Sequence, residues 1–159
     1  MTERTGYGWV QIGLHWAIAL LIAVNYFISD GMGRALDGHL AGTGTMGGTA
    51  TVHVYAGLAV LVLVLARLVV RVALGVPAPT GHGWMDRAAE WAHKLLYALM
   101  IAVPALGASA WFLGFGVAGD LHVLAMNAMM IIVLAHAGAA LMHQFVLKDG
   151  LLLRMVRAG

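Results

Sequence analysis

Four long apolar runs, separated by polar or glycine-rich connections, set the pattern of this chain: residues 9–29, 52–72, 91–113 and 121–147. Each is long enough to cross a bilayer as a helix of about 20 residues. The pattern predicts an all-α integral membrane protein, a four-transmembrane-helix bundle formed as a single domain over residues 1–159. The first run reads as a retained span rather than a cleaved leader. It has no A-x-A-like cleavage site, exceeds a usual leader core in length, and carries His15 and Asn25.

Polar residues inside the runs are few, and histidines stand out among them. In the fourth run His122 and His136 are 14 residues apart and His143 follows 7 later. At about 100° per residue these steps close to within roughly 40° and 20° of whole turns, so the three imidazoles share one stripe. The rise places His122 and His136 about 21 Å apart, most of a hydrocarbon thickness. Hydrogen bonding to neighbouring helices explains one or two such residues. Two ligands stacked at two membrane depths explain the spacing better.

Basic residues set the expected orientation. Arg4, Arg67, Arg71, Arg87, Lys94, Lys148, Arg154 and Arg157 flank one side of the spans, and only Arg34 lies on the other. The positive-inside rule puts both termini and the 75–90 connection in the cytoplasm. In that frame His15 and His136 fall at one level near the inner side, about 21–24 Å from the outer ends of their spans. His53 and His122 each begin a span at the outer side.

Composition narrows the chemistry. The 159 residues are 62% hydrophobic and 10% charged, against about 25% charged in a soluble domain. There is no cysteine, which excludes disulfides, thiolate iron–sulfur ligation and covalent C-x-x-C-H haem attachment. The basic residues flank spans and form no patch, so no nucleic acid is expected as a partner; membrane lipid is. Two neutral imidazoles per level are too few for zinc, which takes three or four protein ligands. They suit a flat cofactor with four in-plane donors and two open axial positions, a haem at each level. Met126, Met129 and Met142 are thioether alternatives for one ligand, set aside because histidines stand at matching depth. Small residues near the histidines (Gly57, Ala19, Ala139, Ala140) leave room for a macrocycle, though small residues also serve helix packing alone.

The remaining features read as structure. The 30–51 connection, with Gly42, Gly44, Gly47 and Gly48, reads as a flexible outer loop and not a phosphate cradle, since no Gly-Lys-Ser/Thr follows. Pro77 and Pro79 stop the second helix, and Pro104 is expected to kink the third. No repeat or heptad stands out. Trp9, Trp16, Trp84, Trp91 and Trp111 fall near span ends as an aromatic belt, Asn25 reads as an interhelical hydrogen-bonding residue, and His39 and His82 read as solvated loop residues.

The run His136-Ala-Gly-Ala-Ala-Leu-Met-His143-Gln-Phe-Val-Leu-Lys148-Asp149-Gly-Leu-Leu-Leu-Arg154-Met155, with Leu14-His15-Trp16, His53-x-x-x-Gly57 and Arg67-x-x-x-Arg71, resembles the bacterial cytochrome b561 family, related to the b-type subunit of nickel–iron hydrogenases. The likeness covers nearly the whole chain. It implies two haem b, one held by His15 and His136 and the other by His53 and His122, in the bacterial inner membrane. It further implies electron transfer between the periplasmic face and ubiquinone or menaquinone, with superoxide or a donor protein as outer partner. Arg67 is expected at a haem propionate, while Arg71 reads as a residue snorkelling to lipid headgroups. His93 and His143 are candidate cofactor-binding residues at a quinone pocket, where histidine handles protons near neutral pH, with interfacial hydrogen bonding as the plain alternative. The outer connections carry Arg34 against Asp30, Asp37 and Asp120, a field that repels superoxide and attracts a cationic donor. A membrane-anchoring electron-relay subunit of a dehydrogenase or hydrogenase is the second reading.

Overall fold

A computed structural model describes residues 6–44, 47–77 and 83–159. Arg4, Pro79 and His82 lie outside the described residues. Among those described there are five α-helices: α1 (Trp9–Phe27), α2 (Met32–Leu40), α3 (Gly48–Leu74), α4 (Trp84–Leu113) and α5 (Gly116–Met142). A π turn over His143–Leu147 and a 3-10 turn over Leu152–Met155 follow. Four helical stretches are apolar and long enough to cross a membrane, with mean hydropathy from 1.6 to 2.4.

Helix α1 packs on α3, α3 on α4, and α4 on α5. The seam between them is narrow and wholly apolar: Ile18, Ile22, Val60, Val64, Leu96, Val103 and Met129. Many large apolar side chains point outward instead, among them Leu20, Val69, Val72, Leu124, Ile131 and Leu134. In water that surface would be a liability. Against hydrocarbon it is the expected exterior, since helices leave no backbone group unsatisfied there.

The helices overrun the apolar runs at several ends. Helix α4 begins at Trp84, seven residues before its apolar run. Its first turns are polar but helix-compatible, with Asp86 near the positive end of the helix dipole and a Glu90–Lys94 pair at 2.7 Å. It runs unbroken through Pro104 and closes on Gly114, whose φ of 74° favours glycine.

The 30–51 connection corrects the flexible-loop expectation. It holds a nine-residue helix, α2, because Met32, Leu36 and Leu40 recur every fourth residue and form an apolar edge. Leu36 docks where Gly119 has no side chain: a Cβ there would lie 2.8 Å from Leu36 Cδ2. His39, expected to be solvated, instead stacks on Trp111 with centroids 4.4 Å apart and planes 5° off parallel. Its Nε2 also bonds the Trp111 carbonyl at 3.0 Å. Trp111 is correspondingly 7% exposed and belongs to the interior, whereas Trp9, Trp84 and Trp91 are exposed as a belt requires.

The opposite end of the bundle is tied by polar bonds. Gln11 caps α1 by accepting from Gly8 N at 3.1 Å, and its amide donates to Gly75 O at 2.9 Å, joining the start of α1 to the end of α3. Trp16 Nε1 donates to Met155 O at 2.8 Å, which holds the C-terminal turn against α1.

Candidate functional site

The two ends of the bundle each bring imidazoles together. At the end covered by α2, His53 of α3 faces His122 of α5, ring centroids 6.1 Å apart. At the other end His15 of α1 faces His136 of α5 at 6.4 Å, and His93 of α4 lies 5.1 Å from His136. All five are half-buried. A metal held axially by two imidazoles sits about 2 Å from each nitrogen. With a ring nitrogen roughly 1.1 Å from its centroid, for bonds near 1.33 Å, the centroids are then about 6 Å apart. The His53–His122 and His15–His136 spacings admit one metal ion between the rings, and the His93–His136 spacing is about an ångström short. Among the described residues no three His, Asp or Glu side chains converge to hold a metal ion. The donors come in pairs.

The first pair opens into a cavity of about 800 Å³ that also includes Asn25, Gly57, Gly107 and Trp111 in its wall. That volume is in the range of cofactor sites, about 300–1,000 Å³. One polar atom facing this region, Asn25 Oδ1, is buried with no partner among the described residues. Asn25 was expected to bond a neighbouring helix, and its carbonyl oxygen does not. Orphaned polar groups in a native interior are costly, and an occupant relieves the cost. Donor chemistry, volume and the unpartnered Asn25 oxygen all fit a macrocycle with an axially open metal.

His122 is fixed by a bond to the neighbouring helix. Its Nδ1 lies 2.8 Å from the carbonyl oxygen of Val103 on α4. A carbonyl only accepts, so Nδ1 carries the proton and Nε2 is left as the donor to a metal. This arrangement depends on Gly107, where a Cβ would meet His122 Nδ1 at 2.9 Å. Sequence reasoning singled out Gly57 and missed Gly107. The same construction at Gly57 meets only Asn25 Nδ2 at an ordinary 3.6 Å.

At the second level the charged partner is Arg67. Its Nη1 donates to Gln11 O at 2.6 Å and its Nε to the Tyr97 hydroxyl at 3.0 Å. The guanidinium interacts electrostatically with His15, His93 and His136. Arg71 lies over the Tyr97 ring, 5.9 Å from its centroid. His143, 9% exposed, is held by Asp149: its Nδ1 is 2.5 Å from Oδ2, while Asp149 Oδ1 accepts from Leu151 N at 3.0 Å. The π turn, with Lys148 in the left-handed region at φ 54°, brings these two side chains around to meet.

A family model described as prokaryotic cytochrome b561 matches residues 6–158. Among curated proteins the chain is similar to "Cytochrome b562" of Cereibacter sphaeroides, 48% identical over 157 residues and covering 99% of both chains. It is also similar to "Cytochrome b561 homolog 1" of Escherichia coli, 31% identical with 92% of this chain and 94% of that one covered. "Probable superoxide oxidase CybB" of Yersinia pestis is 28% identical, with 94% and 95% covered. No solved structure matches.

Proposed function

This chain belongs to the prokaryotic cytochrome b561 family, and from that premise we propose that it is a di-haem b-type cytochrome of the inner membrane, passing electrons between the periplasmic face and the quinone pool. Haem, when bound, supplies a one-electron couple at each level. His15 with His136, and His53 with His122, hold the two groups, and α5 contributes one imidazole to each. The observation that carries this reading is the pair of spacings, 6.4 and 6.1 Å, at the two ends of one apolar helix.

The remaining residues take supporting roles. Arg67 and Arg71 place positive charge at the inner level, where it favours the reduced state and any propionate nearby. His93, beside His136 but too close to share an axial position with it, is suited to a proton-handling place at a quinone site there. His143 is the second candidate, held in place by Asp149. The termini lie in the cytoplasm by the distribution of arginine and lysine.

The outer partner is best read as a cationic single-electron donor. The outer connections carry one arginine against three aspartates, a net charge of −2. A field of that sign slows encounter with an anion such as superoxide.

Haem quantification and a reduced-minus-oxidised spectrum on the purified protein test the reading. Two haems per chain with low-spin b-type bands are expected. A colourless protein, or one haem per chain, ends it.

A further inference from the structure

The two levels are built differently around their α5 histidines, and the difference lies in one missing side chain. Gly107 stands one turn after Val103 on α4, so both face α5 on the same stripe. The imidazole of His122 enters the gap left at Gly107 and reaches the Val103 carbonyl at 2.8 Å. A Cβ at position 107 would lie 2.9 Å from Nδ1 and 3.1 Å from Cε1 of that ring. These distances are too short to keep, and the ring cannot yield without losing its bond to the Val103 carbonyl. Near the inner pair, glycines are bystanders: a Cβ at Gly13 or Gly138 would meet nothing within 4 Å.

We propose that Gly107 is a positioning residue of the outer site: by lacking a side chain it lets His122 donate Nδ1–H to Val103 O, which fixes Nε2 toward the cavity and strengthens it as a donor. An imidazole whose far nitrogen donates a hydrogen bond is the more basic ligand. A more basic ligand stabilises the oxidised metal, so the outer couple lies below the inner one, where Arg67 favours the added electron. The inference rests on the di-haem reading for its redox part and on the described geometry alone for its hydrogen bond.

Two measurements on Gly107→Ala, with Gly138→Ala as a glycine-to-alanine control on exposed α5 surface, test it. The first is a redox titration of the purified holoprotein followed optically. One couple, the lower, should move positive by at least tenfold in its oxidised-to-reduced ratio at fixed potential, about 59 mV for one electron, while the other couple stays in place. Gly138→Ala should match the wild type. Selective loss of one haem of two in Gly107→Ala also supports the assignment, because only His122 is displaced. The second is NMR of the reduced, 15N-histidine-labelled protein. Two slowly exchanging ring Nδ1–H signals are expected in the wild type, those of His122 on Val103 O and His143 on Asp149, and only the His122 signal should be absent in Gly107→Ala. Unchanged couples with the ring N–H retained would overturn the proposal, and so would equal effects on both couples or loss of both haems together. A wild type without haem would end the functional reading, while the ring N–H in that protein would still decide the placement of His122.

Discussion

Replacing His136 with alanine separates the two levels. The substitution removes one imidazole of the inner pair and leaves the outer pair, 14 residues and about 21 Å away along α5, untouched. Sites more than about 7–10 Å apart with no shared partner behave independently. Haem content should therefore fall from two to one per chain, and the difference spectrum to about half its amplitude, with a single couple left in a redox titration. His93→Ala is the informative companion. Its ring lies 5.1 Å from His136, in contact with a proposed ligand without being one. Losing such a neighbour costs about 10–100-fold in metal affinity, which leaves a tightly bound group in place. His93→Ala should keep both haems. Pyridine haemochrome assay against protein concentration reads the stoichiometry, and far-ultraviolet circular dichroism checks that the helices persist. The ligand reasoning is refuted if His93→Ala drops to one haem, or if His136→Ala, with helix content intact, retains two.

Three further outcomes follow from separate parts of the structure. Arg67→Met removes the charge beside His15, His93 and His136, so the inner couple should move negative by on the order of 60 mV, a tenfold change in ratio, and the outer couple should not move; redox titration reads both. His39→Ala removes the stacked contact and the 3.0 Å bond to the Trp111 carbonyl, together roughly 1–2 kcal/mol, so amides of α2 should exchange about 5–30-fold faster while those of the spans do not. Reduction by a small cationic protein should slow as salt rises from 10 to 150 mM, where the Debye length falls from about 30 to about 8 Å; faster reduction by an anionic donor at low salt would contradict the charge argument.

What was legible in the sequence was whatever periodicity carries. Four apolar runs became four span-length helices, and the rings of His15 and His136, and of His53 and His122, lie 6.4 and 6.1 Å apart. The misses have separate physical causes. Helix α2 was hidden because glycines at 42–48 dominated the reading of a connection whose earlier half has a four-residue apolar spacing. His39 on Trp111, and Gly107 under His122, are contacts between elements far apart in the chain. No local pattern encodes which neighbour a glycine faces. The start of α4 at Trp84 was invisible for another reason: hydropathy marks where a helix meets lipid, and says nothing of the turns that extend into water.

The asymmetry of the two ends bears on the direction of electron flow in the proposed orientation. With the cytoplasm negative, an electron moving inward works against the membrane potential, at about 2.3 kcal/mol per 100 mV for a full crossing. A path without compensation would favour the opposite direction. The charges fixed along this chain tilt it back. Asp30, Asp37 and Asp120 lie in the wall of the outer cavity, and anionic charge there raises the energy of an added electron. Arg67, set among the inner imidazoles by Gln11 and Tyr97, lowers it. The hydrogen bond from His122 to Val103 acts in the same sense as the aspartates. In the proposed di-haem arrangement these three features would make the outer level the more reducing one, the order needed for electrons to enter from the periplasm and leave to quinone.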